Sequence, residues 1–137
     1  MKIYTSYYAK VGALRAKGIV PIGISLYSPK FFHGPTIPSL APRRYMLDDS
    51  LSEEQYTRLY VEDVLKRVDI SLLLKVIQQH AGDRPVALLC YEKPGDFCHR
   101  HIAAKWIQEK CKIEITEYPF DEEKKKVDNS TQQISLF

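Results

Sequence analysis

Residues 90–101, CYEKPGDFCHRH, bring two thiols, a carboxylate, two imidazoles and a guanidinium into one short stretch. Each type has its own chemistry. A cysteine can act as a nucleophile once ionised, and a glutamate or histidine can move protons. An arginine beside free backbone N–H groups can hold a phosphate or carboxylate. Residues 86–92, VALLCYE, form an apolar run expected to be a central strand. On such a strand Cys90 and Glu92 share a face, while Tyr91 points away. Pro94, Gly95 and Asp96 then predict a turn, with Asp96 capping a helix whose first turn holds Phe97, Cys98 and His99. The partial positive charge of a helix start favours the Cys98 thiolate over that of Cys111 at the far end. Glu92, Cys98, His99 and Cys90 are therefore the candidate catalytic groups, and Arg100 the candidate anion holder.

Plainer readings stand beside these. Cys90 can be a small core residue, Glu92 can face solvent, and His99 and Arg100 can be surface groups. No metal is needed by the primary reading. Zinc is the alternative, with Cys90, Cys98 and one histidine as ligands, although their spacing is not that of a structural zinc module. His99 and His101 stand two apart on a helix and diverge, so they cannot share one ion. Protein tyrosine phosphatases and rhodaneses also place a cysteine after a strand, but their short loop ending in arginine is absent here.

Positioning such a cluster needs strands and helices in alternation. Residues 3–6 and 20–25 are β-branched and apolar, as buried strands are, and 9–17 predict a short helix stopped by Gly18. Residues 28–44 carry prolines at 29, 35, 38 and 42 and predict a long irregular loop. Lys30 and its aromatic neighbours in that loop suggest an ordered, substrate-facing role. Ser52 opens a second helix, residues 70–80 a third, residues 98–110 a fourth, and residues 113–118 a last strand. The expected fold is α/β: a small three-layer domain with a mostly parallel sheet of about four strands flanked by helices.

The totals bound the rest. The chain has 137 residues, 45% hydrophobic and 27% charged, with a net charge of +3. That is the size and composition of one globular domain. The charge permits phosphate contacts without the basic stripe of a dedicated nucleic-acid binder. No stretch predicts a membrane span or signal peptide, and three cysteines argue against a disulfide framework. A cytoplasmic protein with reduced thiols is the expectation.

To about Tyr118 the chain resembles the domain-of-unknown-function family numbered 488. The resemblance rests on IYTSYY, on VPIGIS followed by a proline-rich loop ending LAP, and on LLCYEKPGDFCHRHIAAKWI. It marks Cys90, Glu92, Cys98, His99 and Arg100 as matching positions. It also implies that Tyr4, Ser6 and Tyr7 reach the same crevice and bind substrate.

The expected organisation is an α/β domain over 1–119, a flexible charged linker over 120–132 and a docking peptide over 133–137. Gln133, Ile134, Ser135, Leu136 and Phe137 resemble the peptide by which bacterial repair and replication proteins bind the sliding clamp. Leu136 and Phe137 would fill an apolar pocket while Gln133 bonds its rim. The functional expectation is a bacterial or phage protein acting on nucleic acid or a nucleotide, as a hydrolase or transferase with an anion site at 90–101. Its alternatives are a non-catalytic accessory recruited by the clamp and a thiol- or metal-dependent sensor.

Overall fold

The computed structural model describes residues 1–93 and 95–120. Pro94, residues 121–132 of the expected linker and the clamp-like peptide lie outside the described residues. Four parallel strands, β1 (Ile3–Tyr7), β2 (Val20–Gly23), β3 (Val86–Cys90) and β4 (Ile115–Glu117), form one sheet in the order β2-β3-β1-β4. Helices α1 (Val11–Ala16), α2 (Glu53–Asp63), α3 (Ile70–Ala81) and α4 (His99–Cys111) flank it. The protein is thus α/β with three layers, as expected.

All five residues of β3 are buried, because the strand is covered on both faces. Val86 and Leu88 join the larger core with α2, α3 and α4, while Ala87 and Leu89 join the smaller one with Leu14 of α1. Cys90 follows the first pair and so faces the α4 side. Pro21 is tolerated in β2 because that strand is a sheet edge.

Local signals set the helix ends. Ser52 caps α2 in a reciprocal capping box: its Oγ accepts from the Gln55 N–H at 3.1 Å, and its own N–H donates to Gln55 Oε1 at 2.8 Å. Asp69 caps α3, which stops at Gly82 with φ 62°. The proline-rich segment 28–44 is mainly irregular, with a 3₁₀ turn at Pro38–Leu40. Tyr60 of α2 ties this segment down by donating to the Leu40 carbonyl at 2.6 Å.

Three strands are shorter than the expected ranges, including β2, which ends at Gly23. β4 covers three residues, and β3 stops at Cys90 instead of reaching Glu92. The register explains the end of β3. Tyr7 is the last β1 partner of β3, opposite Cys90, and β2 has already ended opposite Leu89. Beyond Cys90 no neighbouring strand remains to continue the ladder.

Candidate functional site

Where β3 ends, the chain bends through Tyr91 and Glu92. Glu92 is exposed and does not share the buried face of Cys90, which corrects the expected strand geometry. The bend is held from below. Arg100 donates through Nη1 to the Glu92 carbonyl and, at 3.2 Å, to Cys90 Sγ. Its Nε and Nη2 meet the two oxygens of Glu117 at 3.0 and 2.9 Å. Thr5 Oγ1 donates to the same carboxylate at 2.5 Å, and the Tyr7 ring lies 5.9 Å from the guanidinium.

Arg100 is 0% exposed. Its guanidinium is engaged by protein groups: Nε and Nη2 by Glu117, and Nη1 by Cys90 Sγ and the Glu92 carbonyl. The reason is a long-range ion pair: β4 brings Glu117 beside α4.

Helix α4 starts one step later than expected. Cys98, not Asp96, is the N-cap, in extended conformation, and no side chain caps the helix. Its first turn is His99, Arg100 and His101. His99 is buried; its Nε2–H donates to the Ile24 carbonyl at 2.7 Å, and its ring stands edge-on to Tyr60 at 5.4 Å. Burial pushes its pKa down to about 4, with the Arg100 charge adding to that effect against the Ile24 bond. The imidazole is therefore neutral at ordinary pH, with the proton on Nε2 and the lone pair on Nδ1. His101 points outward and is exposed.

The Cys90 and Cys98 sulfurs come into direct contact, with their Cα atoms 7.3 Å apart. Cys111 lies at the far end of α4. The two sulfurs and a ring nitrogen of His99 lie within 4.8 Å of one another.

Above this cluster opens a cavity of about 570 Å³, beyond the carboxyl ends of β2 and β3. That is where ligands sit in open α/β sheets. Cys90, Cys98 and His99 line it, together with Tyr27, Tyr56, Tyr91 and Phe97. Tyr27, Tyr91 and Phe97, 58%, 50% and 39% accessible, gather their exposed rings around this one cavity. Phe97 meets Tyr56 edge-on at 5.4 Å. Asp48, Asp49, Glu53 and Glu92 complete the wall, and among the described residues no lysine or arginine lines it. Burial, reinforced by the Glu92 carboxylate, raises the Tyr56 hydroxyl well above its ordinary range.

A hydroxyl chain fixes the loop after β2. Tyr8 donates to Ser25 Oγ at 2.6 Å, Ser25 to the Tyr27 carbonyl at 2.8 Å, and Tyr91 to that same carbonyl at 2.7 Å. The acceptor-only carbonyl sets the direction of every bond in it.

Four expected substrate-binding residues are not at this cavity. Tyr4 packs edge-on against Tyr118 at 5.1 Å, beside the smaller core. Tyr7 lies over Arg100, Ser6 is buried with an unpartnered Oγ, and Lys30 is exposed elsewhere. Conversely, Tyr27, Tyr56, Phe97 and the Asp48–Asp49 pair were not singled out from the sequence as site residues. Tyr56 was readable only as part of a helical apolar stripe, and Asp48–Asp49 only as loop.

Residues 10–111 match the family described as the active DUF488-N3 subclade. The protein belongs to this family of domains of unknown function. No curated protein and no solved structure matches the chain. Among the described residues no helix is long and apolar enough to cross a membrane.

Proposed function

We propose that this protein is an enzyme acting on a nucleobase-bearing substrate, either a nucleotide or a nucleic acid. The observation that carries the reading is the cavity wall: aromatic rings and carboxylates over a floor of two cysteines and a histidine. A base is planar and stacks on aromatic side chains. Its ring and exocyclic N–H groups donate to carboxylates. The acidic lining favours the base and disfavours burying phosphates, which sit at the rim. The reading keeps the substrate class expected from the sequence and seats the base, with its phosphates at the rim, in the cavity.

Glu92 is the proton-transfer group, because it lines the cavity and remains exposed to solvent at the strand end. The peptide 133–137 recruits the protein to the bacterial sliding clamp, on the strength of its residue pattern.

One experiment tests both parts. The reduced full chain is assayed with nucleosides, nucleotides, and intact and damaged oligonucleotides, beside Glu92→Gln and a deletion of 133–137. Turnover that falls at least about 100-fold in Glu92→Gln supports the reading. The deletion should lose clamp binding and keep turnover of small substrates. No turnover across the panel overturns the enzymatic reading, and unchanged clamp affinity overturns the recruitment.

A further inference from the structure

We propose that Cys90, Cys98 and His99 form a three-ligand site for a thiophilic divalent cation, zinc foremost, with a fourth position open to the cavity. This rests on the donors themselves and not on the identity of the substrate. Two thiolates and an imidazole are the ligand set of zinc and its chemical neighbours. Their donor atoms already lie within 4.8 Å of one another.

Each donor is prepared by its surroundings. The Nε2–H of His99 is held by the Ile24 carbonyl, which leaves Nδ1 with its lone pair for a metal. Histidine ligands usually have their other ring nitrogen fixed in this way. Arg100 places Nη1 3.2 Å from Cys90 Sγ, so that sulfur is supported as a thiolate. Cys98 is the N-cap of the thirteen-residue helix α4, which no side chain caps, and the helix start favours a negative sulfur.

Two further observations point to a cation. The cavity wall above the sulfurs carries Asp48, Asp49, Glu53 and Glu92 and, among the described residues, no lysine or arginine, a field that concentrates divalent cations. The backbone holds the Cα atoms of Cys90 and Cys98 7.3 Å apart. Ordinary disulfides span roughly 4.4–6.8 Å between Cα atoms, so this spacing leaves room for an ion between two thiolates. All three donors line the cavity. Three protein ligands and one open position is the arrangement of catalytic rather than structural zinc.

Oxidation of the same pair to a disulfide would consume both sulfur ligands and exclude the metal. A dithiol reductant delivers two electrons and two protons, becomes a disulfide itself, and leaves Cys90 and Cys98 as thiols. A divalent cation then binds both sulfurs and His99, displacing one proton from each cysteine.

The test adds Co²⁺ to the reduced full chain and follows sulfur-to-metal charge-transfer absorption. The expected result is a band saturating at one cobalt per chain and abolished by Zn²⁺. Cys98→Ser should weaken binding more than about tenfold, and Cys111→Ser should leave it unchanged. Native mass spectrometry of the wild type provides a check that needs no variant. It should give one zinc per reduced chain with two protons lost, and none on the oxidised chain. The proposal is overturned by the absence of a charge-transfer band, by a band unchanged in Cys98→Ser, or by zinc uptake independent of oxidation.

Discussion

Arg100 connects more of the site than any catalytic candidate does, yet it does not line the cavity above Cys90 and Cys98. It joins the end of β3, the start of α4 and the β4 carboxylate of Glu117 through four hydrogen bonds, two of which make a bidentate ion pair with Glu117. Removing one partner of a buried pair leaves the other uncompensated. Glu117 keeps 22% side-chain exposure, which lowers that cost. Arg100→Met should therefore destabilise the reduced protein by about 3 kcal/mol in urea denaturation. Adding Glu117→Leu should restore part of the loss. A single-variant loss below about 1 kcal/mol would show that the network is not a structural tie. The chemistry of residues 90–101 was legible because a strand end and a helix start are local events. The role of Arg100 was not, since its carboxylate partner depends on Thr5 and Glu117 being paired across β1 and β4. Glu92 was misread for a related reason: β3 ends where its neighbours end, and one strand's composition does not carry that information.

At the scale of elements, α2 is the part of the scaffold that serves the cavity most directly. Its cap, Ser52, and its first-turn residues Glu53 and Tyr56 all line the wall. The capping box holds the first turn, so it holds the ring of Tyr56 as well. Ser52→Ala removes the acceptor for the Gln55 N–H and should cost about 1 kcal/mol. Ser52→Asp, which keeps an acceptor, should recover most of it, as read from thermal melts of the two variants. Equal melting of Ser52→Ala and wild type would deny the cap any energetic role. This helix start was plain in the sequence, as were the stops at Gly18 and Gly82, because caps and left-handed glycines act within a few residues. The loop over 28–44 was legible as irregular from its prolines. Its anchoring by the Tyr60–Leu40 bond and the packing of Phe32 in the smaller core was not, because both partners are distant in sequence.

For the molecule as a whole, alternating strands and helices made a parallel sheet readable, while the order β2-β3-β1-β4 was not. Alternation constrains the crossovers and not which edge each strand joins. That order decides what is covered against α2, including buried Tyr60 and half-buried Tyr56, whose hydroxyls resist ionisation. Burial raises Tyr60 well above its usual value of 10.0, and it raises Tyr56 in the same direction with help from Glu92. In both, the folded pKa exceeds the unfolded one, so the unfolded chain loses these protons first as pH rises. Their contribution to stability is full below pH 10.0 and is lost progressively above it. Each tyrosine adds a slope of about 1.4 kcal/mol per pH unit in that range. Urea midpoints measured across the alkaline range should fall steeply for the wild type. Tyr60→Phe removes one titration and, by orphaning the Leu40 carbonyl, should start about 1 kcal/mol lower at neutral pH. Its stability should nonetheless decline less steeply above pH 10, so the two curves converge. Parallel curves would mean that Tyr60 ionises as readily in the folded chain as in the unfolded one, contrary to its place beneath the proline-rich loop.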